Sequence, residues 1–423
     1  MTGQSTPPEP SRTRRTLTVR GGLVLFFGVL ALVAGLVTRQ REAVGLGVLL
    51  IAVPSVASLV LVGAAARIVN GRTLVPNRVP AGHDARVLVR IGNASSVWPV
   101  TSVFVQDGLP VPLGTHPRFT IGYLGARAVR DVSYLVRPAV RGSYAIGPLT
   151  VGMTDPLGCV RVTRVVGSPS HLLVTPSTVP LSPLGAVDGS QGEESPRRSV
   201  TGVGEQDPVP REYRYGDELR RVHWRSTAKH GELMVRRDEQ HRREHSAVLL
   251  DTRLRAHLGE GPAGSLETAV SAAASVAVHL IDNGHELRLY TERGRVPTAS
   301  SSGVLDSLAV TAPSDVPGLL GGVDMLGAQR GGSPSLVVAV LGAMDPEEVA
   351  ALSAIRGGTR LAVLCARAAW SSADAPNGAG ELLASAGWRV LTVSTPGELP
   401  PLWRRAGAPA PAAGPTTPLE GPR

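Results

Sequence analysis

Two long apolar runs open the chain. Residues 17–37 are interrupted only by Thr18 and Arg20, and residues 43–66 carry no charge at all. At about 1.5 Å per residue each run covers the roughly 30 Å of a bilayer's hydrocarbon core. The pattern therefore predicts two membrane helices joined by the polar break Thr38-Arg39-Gln40-Arg41-Glu42. A secretory signal is the rival reading of the first run, but the second run follows directly and no small-residue cleavage site precedes Arg39.

From residue 70 to 175 the period shortens to alternation. Apolar and polar positions trade places over 85–91, 100–105, 118–123, 129–136, 142–146, 159–166 and 172–174, with turn chemistry at Gly92-Asn93 and Asp155-Pro156-Leu157-Gly158. Short strands so closely spaced predict an all-β, sandwich-like domain. Residues 176–206 are rich in Ser, Gly, Pro and Glu without period, as in a linker.

Between 241 and 406 compact apolar runs at 246–250, 287–290, 336–341, 361–365 and 390–393 read as strands buried on both faces. Helical stretches at 266–281, 346–355 and 380–385 lie between several of them, which predicts a doubly wound α/β domain. Residues 407–423, rich in Pro, Ala and Gly, read as a disordered tail.

Composition supports this division. The 49 Gly and 35 Pro with only 4% aromatic residues suit turn-rich β and α/β domains, and 2 Cys exclude a disulfide scaffold or a multi-cysteine metal site. The formal charge of +9 is arginine spread along the chain, with Lys229 the single lysine. No aromatic–basic stacking surface accompanies it, so nucleic acid is not an expected partner. Arg12, Arg14, Arg15 and Arg20 precede or enter the first run, Arg67, Arg72 and Arg78 follow the second, and only Arg39 and Arg41 lie between. The positive-inside rule puts both termini in the cytoplasm and makes the chain a multi-pass cell-membrane protein in contact with lipid. Residues 1–16 form its cytoplasmic basic arm.

The densest segment is 207–240. Asp217 after Gly216 can cap a helix, Glu218 suits its first turn, and Gly231 can end it in the left-handed conformation. Arg211, Tyr213, Gly216, Asp217, Arg220, Val222, Trp224, Ala228, Lys229 and Leu233 resemble the signature of domain-of-unknown-function family 58. Arg141-Gly142-Ser143-Tyr144 with Gly147-Pro148-Leu149, and Asp155-Pro156-Leu157-Gly158, resemble two further stretches of that family, with Leu157 where Phe is usual. The resemblance implies a membrane hairpin, a β-rich insert and a C-terminal α/β domain like that of von Willebrand factor type A. It also implies partners: a MoxR-type AAA+ ATPase and transglutaminase-like proteins. It implies architecture more than chemistry.

A type A domain can bind a divalent cation through Asp-x-Ser-x-Ser at the end of its first strand. Here the string is Asp251-Thr252-Arg253-Leu254-Arg255, with guanidinium groups where hydroxyls would ligate, so no metal site is expected and the strand end reads as an Arg-rich surface. Asp345, with Pro346 after it, is explained as a helix cap.

His241-Arg242-Arg243-Glu244-His245 matches the inverted-zincin string, but it needs a helix and runs straight into a strand. Ser226 and His230 lack a third group, Cys365 reads as core, and Cys159 decides nothing. The expectation is a membrane-anchored binding or adaptor protein, working with a MoxR-type AAA+ ATPase or in envelope assembly, without cofactor or catalytic residues. The enzymatic alternative is a zinc hydrolase on His241 and His245, and a purely structural membrane scaffold is a further one. Within the signature, Trp224 is expected in a core, and Arg220, Arg221 and Arg225 at a rim a partner can reach. The competing structural reading makes the segment a lock between domains.

Overall fold

The computed structural model describes residues 13–183, 210–213, 222, 224–236, 245–327, 334–370 and 375–407. Strand β1 (Thr13–Leu17) leads into α1 (Val19–Thr38), and α2 (Arg41–Ala66) returns antiparallel to it after a turn through Arg39, whose φ of 56° is left-handed. Both helices are long and apolar enough to cross a membrane, with mean hydropathy of 2.4 and 2.5. They pack on glycine. A Cβ on Gly47 would stand 2.5 Å from the backbone nitrogen of Leu32, so the close approach needs the missing side chain.

The β region contains β2 (Ile68–Val75), β3 (Arg78–Pro80), β4 (Ala85–Asn93), β5 (Val100–Asp107), β6 (Arg118–Leu124), β7 (Val129–Val136), β8 (Gly142–Ile146), β9 (Leu149–Thr154), β10 (Val160–Val166) and β11 (Ser170–Thr175). They make a five-stranded antiparallel sheet, β1-β10-β9-β5-β6, and two three-stranded sheets, β2-β4-β7 and β3-β11-β8. Alternation sets the core: Val87, Val89 and Ile91 of β4 point in toward Val103, Val105, Val151 and Met153, all buried. Leu61 and Ala65 at the end of α2 belong to the same core, so the helix runs into the domain rather than hanging from it.

The N-terminal arm enters the sheet. Thr13 pairs with Arg164 and Leu17 with Val160, and β1 thereby satisfies the backbone groups of the β10 edge. An arm that reads as merely polar is in its described part a strand.

After β11 come β12 (Pro210–Glu212), α3 (Trp224–His230) and β13 (Met234–Arg236), then the α/β region. Its sheet has the order β16-β15-β14-β17-β18-β19, from β14 (His245–Leu250), β15 (Glu286–Thr291), β16 (Gly294–Val296), β17 (Leu336–Leu341), β18 (Thr359–Cys365) and β19 (Arg389–Val393). All neighbours are parallel except the β16 edge. Helices α4 (Ser265–Asp282), α5 (Ser301–Ala309) and α9 (Leu399–Gly407) cover one face, and α6 (Leu320–Gly327), α7 (Pro346–Ser353) and α8 (Ala375–Ser385) the other. Chain order reverses between β14 and β17, which opens a crevice at their carboxyl ends.

Residues 176–183, the start of the expected linker, lie along this domain. Ser271 Oγ donates to Ser177 O, Val179 N donates to Ser275 Oγ at 3.0 Å, and Trp403 Nε1 donates to Ser182 O at 3.0 Å. The two regions are joined by Arg141, which is buried. Its Nε donates to Leu308 O at 3.0 Å and its Nη2 to Thr311 O at 2.8 Å, and Nη1 pairs with Glu267 on α4. Arg78 adds a bond from Nη2 to Ser302 O at 2.6 Å.

Candidate functional site

Two places hold the residues singled out by sequence. The first is the crevice at the end of β14. Asp251, Arg253 and Arg255 come together there, but Arg253 is fully buried, which corrects the expectation of an arginine surface. Its Nε donates to Asp251 Oδ1 and its Nη2 to Oδ2, both at 2.9 Å; Nη1 donates to Glu348 Oε1 at 2.5 Å and Nη2 to Ala343 O at 3.0 Å. The guanidinium stands between two buried carboxylates and offsets their charge. Burial pushes the Arg253 pKa down, but the hydrogen bonds and charge of Asp251, with those of Glu348, outweigh it and hold the value above the ordinary one.

The rest of the crevice closes around this pair. Asp251 Oδ2 also accepts from Gly342 N at 3.2 Å, and Glu348 Oε1 from Leu319 N at 3.0 Å. Arg255, half exposed, reaches Asp345 Oδ2 at 2.9 Å and Glu348 Oε1 at 3.1 Å. Asp345 caps α7 with Pro346 at the first position and Glu348 accepting from Asp345 N at 3.1 Å, as the sequence predicted. Thr252 binds Glu292 through N (3.0 Å) and Oγ1 (2.6 Å). His257 lies beneath, with Nε2 2.9 Å from Asp251 O and Nδ1 3.1 Å from Ser265 Oγ; burial pushes its pKa down.

Sequence reasoning missed Glu292, Glu348 and His257 as parts of this network. Glu348 could have been found, because a capping-box glutamate at the end of a strand–helix loop points back toward the neighbouring strand. Among the described residues no group of three or more His, Cys, Asp and Glu is arranged to hold a metal.

The second place is the signature segment. Gly216, Asp217, Arg220 and Arg221 lie outside the described residues, as do the proposed helix start and the side chain of Arg211. β12 and β13 pair as a two-stranded ribbon, Tyr213 N donates to Leu233 O at 2.8 Å, and Met234 N donates to Thr227 Oγ1 at 3.0 Å. Gly231, at φ 78°, ends α3 in the left-handed conformation as expected. Trp224 is 69% exposed, which corrects its assignment to a core. It is the first residue of α3, followed by Arg225, with Lys229 and Leu233 exposed beyond it. The hydrogen bonds shown for this unit run between β12, α3 and β13, and those that join the β and α/β regions include the bonds of Arg141 and Arg78.

The remaining candidates separate. His245 is the first residue of β14, where its carbonyl accepts from Ser335 N at 3.0 Å; His241 lies outside the described residues. Cys365 is buried in β18 with its thiol pushed up to about 12 by burial and the charge of Asp251. Asp155 accepts from Leu157 N (3.1 Å) and Val160 N (2.6 Å), which shapes the turn on which α1 begins: Thr18 N donates to Cys159 O at 3.0 Å.

Comparison with curated proteins finds no match. Among solved structures, the CARDB domain of the PF1109 protein from Pyrococcus furiosus is 17% identical over 23% of this chain and 90% of its own, with a TM-score of 0.17. The sporulation control protein Spo0M from Bacillus subtilis is 10% identical over 26% of this chain and 49% of its own, with a TM-score of 0.16. Likenesses this slight carry no argument. Residues 210–330, which hold the exposed α3 unit and the Asp251–Arg253 pair, match the family model described as protein of unknown function DUF58.

Proposed function

We infer that the chain is a membrane-anchored adaptor whose docking surface is the α3 unit. The observation that carries this is Trp224, an indole left in solvent on a basic helix next to Arg225. Trp and Arg are the residues that most often anchor protein interfaces, and leaving a large apolar ring exposed has a cost that a partner would remove. Arg225 and Lys229 call for an acidic patch on that partner. The family resemblance makes a MoxR-type AAA+ ATPase the first candidate and a transglutaminase-like protein the second.

The two apolar helices are the anchor. The pairing of β1 with β10 supports a hairpin whose two ends lie on one side, and arginine distribution supports the cytoplasmic side. The strand order of the α/β region supports a von Willebrand type A-like domain in which Arg253 replaces the cation. Such a domain would bind without a divalent ion, so recognition moves to the α3 unit.

Titration of a purified MoxR-type ATPase against the full chain in nanodiscs tests the reading. Loss of a hot-spot Trp costs at least about 2 kcal/mol, so Trp224→Ala should weaken binding roughly 30-fold. The melting temperature should stay unchanged. Equal affinity of the variant and wild type would remove Trp224 from the surface.

A further inference from the structure

The membrane-proximal side of α2 carries a groove of about 740 Å³ that borders the β-region core, whose Leu61 and Val100 also line it. Its floor is α2 from Leu49 to Ala64, about 22 Å of helix at 1.5 Å per residue, and its far wall is the entry to β5 at Trp98–Thr101 and the loop at Asp155–Leu157. Apart from Thr101 and Asp155 the lining is apolar, with Val53, Val56, Ala57 and Val60 below Trp98 and Leu157. The volume falls within the roughly 300–1,000 Å³ range of small-molecule sites.

Position identifies the occupant. α2 continues from this groove into its own lipid-facing surface, so a cleft along it opens sideways into hydrocarbon. Trp98 is 63% exposed and Leu157 61%, both where the β region meets the helix ends, the level at which aromatic anchors sit in a bilayer interface. Cations stand at the same level. Arg67, exposed, donates from Nη1 to Ser95 Oγ at 3.5 Å, and the same oxygen accepts from Trp98 N at 2.9 Å. The Arg20 guanidinium lies 3.8 Å from where a Cβ on Gly158 would be. The one carboxylate in the lining, Asp155, is turned into its own loop by Leu157 N and Val160 N and does not oppose an anion.

We propose that this groove is a binding site for an anionic glycerophospholipid, one acyl chain lying along α2 beneath Trp98 and Leu157 and the phosphate held by Arg67 and Arg20. The proposal rests on the membrane-anchor reading. A bound lipid would tie the β region to the bilayer surface and fix the direction in which the α3 unit faces.

The test uses the full chain in nanodiscs of phosphatidylglycerol or phosphatidylcholine, each doped with a lipid carrying a photoactivatable diazirine in its acyl chain, and maps the labelled residues by mass spectrometry. Labelling of Val53, Val56 and Ala57 should exceed that of Phe26, Phe27 and Leu30 on the exposed face of α1 by about tenfold, and Ala57→Trp should abolish the excess. Arg67→Gln, at an exposed position, should keep the labelling but remove the preference for phosphatidylglycerol. Equal labelling of both faces, or an excess that Ala57→Trp leaves intact, overturns the site. So does a cross-link between two copies of the chain from a photoreactive phenylalanine analogue placed at Val56, which would mean that a second copy fills the groove. Resistance of the chain to alkaline carbonate extraction is read in parallel: a resistant chain with uniform labelling sinks the groove alone, whereas extraction sinks the anchor and the groove together.

Discussion

Replacing Arg253 with Met removes one charge from a place with no solvent. Arg253 and Asp251 are both fully buried and Glu348 nearly so, and the guanidinium makes a two-pronged bond to the first and a 2.5 Å bond to the second. Breaking a buried ion pair from one side typically costs about 3–5 kcal/mol, because the partner charge stays behind without compensation. Here the lower end applies, since Asp251 keeps Gly342 N and Glu348 keeps Leu319 N and Arg255. At about 2–4 °C per kcal/mol for a domain of this size, the melting temperature should fall by roughly 6–12 °C. Differential scanning fluorimetry of the full chain in detergent reads it. Arg253→Ser, which places a hydroxyl beside Asp251, should fall similarly and recover part of the loss with millimolar Mg²⁺, while wild type shows no response. A Met variant melting within about 1 °C of wild type would refute the internal-cation account. So would a tight Mg²⁺ site in wild type that Asp251→Ala abolishes.

His257 is neutral when buried, its pKa held below the ordinary 6.5. The unfolded chain therefore takes up a proton first as pH falls, so His257's contribution is complete above about 6.5 and is lost below it; His257→Gln should flatten that loss in pH-dependent melts, and an unchanged slope would exclude His257 as its source. Arg141→Ala removes three bonds between the β and α/β regions at about 2–3 kcal/mol, toward the low side because Glu267 keeps some solvent. It should split one melting transition into two, and a single unshifted transition would contradict the latch. A reporter fused after Arg423 should be active only in the cytoplasm and one in the Arg39–Gln40 turn only outside; the reverse pattern would sink the proposed orientation.

Much of the fold was legible because local pattern and burial agree. β7 and β8 fall on the bounds their alternation predicts, and the unbroken Leu336–Leu341 run is a strand covered on both faces. β2 was missed because Asn70-Gly71, a strong turn signal, runs straight through it opposite Ile91 and Arg90. β1 was missed because its polar residues are exposed and only its backbone is used, to complete an edge. At the strand end, the Asp251-x-Arg253 string showed that hydroxyl ligands were absent. It could not show that Arg253 folds back on Asp251, because the second carboxylate comes from Glu348, 95 residues away. Trp224 misled for the opposite reason: tryptophan usually buries, and nothing in the local pattern showed that this one stands in solvent at the head of α3.

The central claim is that docking belongs to the α3 unit and not to the strand end. A photoreactive phenylalanine analogue placed at Trp224, and separately at Leu254, which is also exposed and lies beside Arg253, tests this in native membranes with a MoxR-type ATPase present. The account predicts a cross-link to the ATPase from position 224 and none from position 254. A cross-link from position 254 alone would return recognition to the β14 crevice and contradict the assignment.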